Sequence, residues 1–109
     1  MAYDEQLAEQ VREVLAGERG LSEKRMFGGL GFLVNGNLAV SASGQGGLLL
    51  RVDPRQSETL VADANASRAV MRGREMDGWL RIRTDGLSDD ELERWISRGV
   101  AFARSLPAK

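Results

Sequence analysis

Apolar positions recur along this chain with two different periods, and the changes of period divide it into elements. From Asp4 to Ala16, Leu7, Val11, Val14 and Leu15 lie at helical spacing and predict a helix with one apolar stripe. Asp4 suits its N-cap, and Gly17 and Gly20 suit its end. The period then falls to two. Lys24–Phe27, Leu30–Val34 and Leu38–Ser43 read as strands, the first two joined at Gly28-Gly29, where both positions tolerate the positive φ of a tight hairpin turn.

The second turn admits two registers. A two-residue Asn35-Gly36 loop pairs Leu33 with Leu38 and puts Leu30, Phe32 and Val34 on the face opposite Leu38, Val40 and Ala42. A three-residue loop, Asn35-Gly36-Asn37, pairs Val34 with Leu38, Phe32 with Val40 and Leu30 with Ala42, so that all six share one face. A one-residue slip carries a whole side-chain set across the sheet, so the three-residue loop is expected.

Farther on, Gly44-Gln45-Gly46-Gly47 reads as a flexible connection. A fourth strand, Leu48–Val52, directs Leu48, Leu50 and Val52 one way and Leu49 and Arg51 the other. Asp53 and Pro54 predict a helix start, with the helix running to Ala62. Residues 63–67 read as a loop, Val70 and Met71 as a short edge strand, and Gly73 and Gly78 as the brackets of a turn. Trp79–Arg83 is a strand with Leu80 and Ile82 on one face and Trp79, Arg81 and Arg83 on the other. After a turn at Asp85-Gly86, Ser88 and Glu91 have capping-box spacing. The last helix buries Leu92, Trp95, Ile96, Phe102, Ala103 and Leu106, uses Gly99 for close approach, and stops before Pro107. The element order is roughly α-β-β-β-β-α-β-α, an α+β fold.

Composition narrows the chemistry. The chain has 109 residues, one domain's length, enough to bury roughly two-thirds of its unfolded surface. It contains no cysteine and no histidine, which removes disulfides, thiolate chemistry, the commonest general base and the commonest metal ligand together. Lys+Arg number 15 against 16 Asp+Glu, a net charge of -1, so nucleic-acid binding would need a local basic patch. The cations are nearly all arginine, which favours planar recognition but is also a common genomic bias. Met1-Ala2-Tyr3-Asp4-Glu5 lacks the basic and apolar regions of a signal peptide. No apolar stretch approaches the roughly 20 residues of a membrane helix, and a cytoplasmic location is expected.

The glycines do not form a phosphate site. Gly29-Leu30-Gly31 lacks the third glycine of a dinucleotide fingerprint and opens no helix. Gly44, Gly46 and Gly47 lie between strands, away from any helix dipole. A calcium loop centred on Gly86 would place Arg81, Arg83 and Leu92 at ligand positions that need oxygen. No serine has a histidine to activate it, and no pair of acids stands at a recognisable catalytic spacing. No catalytic, cofactor or metal site is therefore expected.

One constellation remains. If the helices cover the face carrying Leu48, Leu50, Leu80 and Ile82, the other face carries Leu49, Arg51, Trp79, Arg81 and Arg83. An aromatic among arginines can stack bases and hold phosphates. Plain solvated surface, or a seam between two copies through Leu49 and Trp79, is expected ahead of nucleic acid.

Arg25-Met26-Phe27-Gly28-Gly29-Leu30-Gly31-Phe32, then Asn35-Gly36-Asn37-Leu38 and Leu48-Leu49-Leu50-Arg51-Val52, resemble the N-terminal domain of the TfoX/Sxy competence regulators. The run Met71–Trp79 and the close from Leu92-Glu93-Arg94-Trp95 to Pro107 are similar to its short stand-alone members. The resemblance spans nearly the whole chain, and Met-Phe-Gly-Gly is its most specific part. It implies one domain over residues 1–109, ending where the regulators' C-terminal domain would begin. It also implies a two-layer antiparallel sheet with helices on one face, in a secretion-chaperone-like arrangement. It implies no catalytic residues. The function it implies is regulation of DNA-uptake genes by protein contact, with a cyclic-AMP-receptor-type transcription factor as partner.

Overall fold

The computed structural model of the chain describes residues 3–26 and 28–109. Its elements are α1 (Glu5–Leu15), β1 (Leu21–Met26), β2 (Gly29–Val34), β3 (Asn37–Ala42), β4 (Leu48–Arg51), a 3-10 turn (Pro54–Gln56) running into α2 (Ser57–Leu60), β5 (Ala66–Met71), β6 (Arg74–Ile82) and α3 (Asp89–Ser105). The strands form one six-stranded antiparallel sheet in the order β1-β2-β3-β4-β6-β5. One sheet face supplies Phe32, Val34, Val40, Leu48, Leu50, Leu80 and Ile82 to the core. Leu7, Val11 and Leu15 of α1 and Leu92, Trp95, Ile96 and Val100 of α3 close over it. No helix among the described residues is long and apolar enough to cross a membrane.

Local chemistry sets the helix starts as expected. Asp4 accepts from the N–H groups of Gln6 and Leu7, and Ser88 and Glu91 complete a reciprocal capping box. Arg12 of α1 grips Glu23 of β1 through two bonds of 2.8 and 2.9 Å and also contacts Glu9, tying the helix to that sheet edge. Glu23 holds the Arg12 guanidinium above its ordinary pKa, with Glu9 adding to the effect, and Arg12 holds the Glu23 carboxyl below its own.

The first hairpin departs from expectation at Gly29. Gly28 takes φ +73°, but Gly29 is the first residue of β2, paired with Met26. Glycine is needed there for space, because a Cβ would collide with the Ala42 carbonyl oxygen. Strand β1 starts at Leu21 rather than Lys24, opposite Val34. The reading of Phe27 as the end of that strand lies outside the described residues.

The second hairpin combines both registers. Asn35 (φ 53°) and Gly36 (φ 82°) form a two-residue loop with the two positive φ angles of a type I′ turn. Leu33 therefore pairs with Leu38, and the three-residue loop is corrected. Ala39 is then skipped as a bulge, so that Phe32 meets Val40 and Leu30 meets Ala42 as expected. Leu38 leaves the shared face, and Ala39 joins the core instead. Asn37, 1% exposed, donates to the carbonyls of Ala103 (3.4 Å) and Pro107 (3.0 Å). This satisfies its buried amide and fixes the end of α3 on the hairpin.

The second half of the sheet is also more extensive than the pattern implied. The helix expected over 54–62 is a 3-10 turn followed by a single α-helical turn. Strand β5 begins at Ala66, inside the expected loop, and β6 begins at Arg74. Gly78 is therefore not the close of a turn but a bend inside β6, at φ +85°. Its N–H donates to the buried Ser57 Oγ at 2.6 Å, and its carbonyl accepts from Val52 N–H at 2.9 Å. The β5–β6 register jumps there: Arg68 faces Leu80, whereas Ala69 faces Met76. On α3, Val100 joins the buried stripe, while Phe102 and Leu106 are only half-buried.

Candidate interaction surface

Helix α3 has a buried line and a flank. Residues three and four apart share a helix face, so Leu92, Trp95, Ile96, Gly99 and Ala103 go inward together. Arg98 and Phe102 lie one turn apart beside that line, facing the segment that leaves β4. The Arg98 guanidinium stands 4.4 Å from the Trp95 ring centroid. Arg51, the last residue of β4, stands 5.4 Å from the Trp79 ring and 5.5 Å from the Phe102 ring. Asp53, Gln56, Arg98, Ala101, Phe102 and Ser105 line a groove of about 260 Å³ along this seam.

The chain folds this way for local reasons. Strand alternation and the β4–β6 register make Arg51 and Trp79 direct cross-strand neighbours. The Val52 and Ser57 bonds to Gly78 then hold the 3-10 turn against β6, and Asp53 caps that turn at the Arg55 N–H, 2.9 Å away. Arg55 also pairs with the Asp53 carboxylate at 2.9 Å. The Arg55 side chain, with its backbone N–H second, keeps the Asp53 carboxyl below its ordinary pKa; Asp53 in turn raises that of Arg55.

The five residues expected on the open face fall into two groups. Leu49 is 4% exposed, so it is buried and not part of an open surface, a correction to the expected group. At one end Arg51 stands over half-buried Trp79 and against the Phe102 ring. Arg81 and Arg83 sit at the other, beside a groove of about 500 Å³ that also involves Gly46, Gly47, Thr84 and Asp85. Arg81 donates to Ser43 Oγ at 3.2 Å, and Arg83 donates to the Ala64 carbonyl at 2.8 Å. Alternation thus grouped the residues by sheet face, but cross-element contacts divide them.

Sequence reasoning placed Trp95 and Phe102 in one apolar stripe and gave Arg98 no role. The available signal was spacing: Arg98 stands three residues after Trp95 and four before Phe102, where a guanidinium on the boundary of the stripe reaches a ring.

No curated protein and no solved structure matches this chain. The TfoX N-terminal domain profile covers residues 13–103, from within α1 to the last turns of α3, and so takes in the whole sheet and the Arg51–Trp79–Phe102 seam. On that match, the chain belongs to the TfoX N-terminal domain family.

Proposed function

We propose that the chain is a non-enzymatic regulatory module that acts by protein contact, in the manner of the competence regulators its sequence resembles. The carrying observation is the family match across residues 13–103. The side-chain chemistry agrees with it: arginines stacked on tryptophan and phenylalanine are the residue types that anchor protein interfaces. A cyclic-AMP-receptor-type transcription factor is the partner to test first, on the strength of the resemblance. Tagged protein expressed in its native cell should recover one protein partner at stable stoichiometry. A parallel anisotropy titration with DNA and RNA at two salt concentrations should give no salt-sensitive micromolar binding. Tight nucleic-acid binding with no protein recovered would replace this reading by a nucleic-acid one.

A further inference from the structure

We propose that the groove between the 3-10 turn and α3 receives a short acidic segment of the partner protein, two carboxylates straddling an apolar residue. This rests on the protein-contact reading above and names the chemistry of the contact. Arg51 lies against two rings and Arg98 against one. Stacking engages the faces of a guanidinium and leaves the N–H groups on its edge available, already oriented for bidentate carboxylate binding.

Neither arginine has an acid or hydrogen-bond acceptor among the described residues, whereas Arg12, Arg55, Arg68 and Arg104 are each ion-paired. Arg19, Arg25, Arg72, Arg74 and Arg94 also lack an acid partner among the described residues, but no ring orients them. Arg98 and Phe102 thus line the groove together with Ala101, and the second held cation, Arg51, stands against that same Phe102 ring.

The surrounding charges favour a peptide over a phosphate chain. Asp53 lines the groove, and Asp63 and Glu91 stand on the far side of Arg98. A continuous polyanion crossing this seam would meet all three carboxylates. A short segment seated in the groove meets only one of them, Asp53, whose charge Arg55 already offsets.

The test is fluorescence anisotropy with a labelled hexapeptide carrying two glutamates around a leucine, against the same peptide with both glutamates replaced by glutamine. The acidic peptide should bind saturably, at least tenfold tighter than the glutamine version. Arg98→Gln, at an exposed position, should weaken it at least fivefold, and Arg51→Gln similarly if circular dichroism shows the variant folded. Arg94→Gln, with no ring beneath it, should leave binding unchanged. Equal affinity for both peptides, equal loss in Arg94→Gln and Arg98→Gln, or no saturation at millimolar peptide would each overturn the proposal. So would duplex DNA binding more tightly than the peptide and losing affinity in Arg98→Gln, which would assign the groove to phosphate. A protein partner recovered equally well by wild type and Arg98→Gln would overturn this groove's role and leave the protein-contact reading standing.

Discussion

The two sides of α3 carry the same kinds of residue to opposite ends. On the inner side, Trp95 is 3% exposed, and Gly99 lets the helix backbone settle onto β3, where a Cβ would collide with the Ala39 carbonyl oxygen. On the flank, Phe102 is half-buried and holds Arg51 against its face. Aromatic area is consumed on one side and displayed on the other. Trp95 takes part in both, closing the core and carrying Arg98 on its ring. A recognition surface here is therefore an extension of the core's own packing, and its rigidity derives from residues that a partner never touches.

The largest expected effect breaks both sides at once. Trp95→Ala should cost about 3–5 kcal/mol in chemical denaturation, as large aromatic deletions from cores do. It should also abolish the preference for the acidic peptide. A loss under about 1 kcal/mol would show that the inner side does not depend on this ring.

Gly99→Val strikes the inner side alone. The added side chain must push α3 away from Ala39 and Leu50, at about 1–3 kcal/mol by the usual scale of overpacking. Peptide affinity should fall less than in Trp95→Ala, since all three stacked rings remain.

Phe102→Ala strikes the flank alone. The ring is only partly buried, so a loss of about 1–2 kcal/mol is expected, less than for a fully buried aromatic. Its larger effect should be on Arg51, which loses one of two stacking faces. A stability loss equal to that of Trp95→Ala would erase the distinction between the two sides.

The smallest effect concerns Asp53 at the mouth of the groove. Its carboxyl is held below the ordinary value by Arg55, so the folded state binds its proton less readily than the unfolded state. That contribution is present above the unfolded pKa of about 3.9 and is lost as pH falls through the lower folded value. Carboxyl NMR should show Asp53 titrating below the usual aspartate range, and Arg55→Ala should move it upward, part of the way back, since the backbone N–H bond from position 55 remains. An unchanged midpoint in that variant would remove Arg55 as the cause.

What could be read from sequence was what neighbours along the chain decide. The Asp4 cap, the Ser88–Glu91 box and the alternation through Leu48–Arg51 depend on residues within a turn or two, and they stand as expected. The close approach at Gly99 also stands, read from its place on the helix stripe, although what it approaches, Ala39, lies far along the chain. The Asn35-Gly36 turn was legible in part: the dipeptide specifies its loop, but the bulge at Ala39 restores a shared apolar face that the loop alone would break. The bend at Gly78 was not legible, because the group that accepts its N–H, Ser57, lies 21 residues away. The same holds for the site. Alternation put Arg51 beside Trp79, but nothing near Arg51 in the chain announces Phe102.

That bend also divides β6 dynamically. Beyond Gly78, Arg74, Glu75 and Met76 pair only with β5, whereas Leu80, Arg81 and Ile82 pair with both β5 and β4, and Trp79 pairs with β4. Val70, Arg72, Gly73, Arg74 and Glu75 all face solvent. The tip of the β5–β6 hairpin can therefore unzip as a cooperative unit of its own, at a free energy well below that of global unfolding. Its amides exchange through that local opening, while those of Leu80 and Ile82 wait for the whole sheet to come apart. The arginine seam belongs to the slow-exchanging part through Arg51 and Trp79, so a partner seated there would bind a surface that stays formed while the hairpin beside it opens and closes.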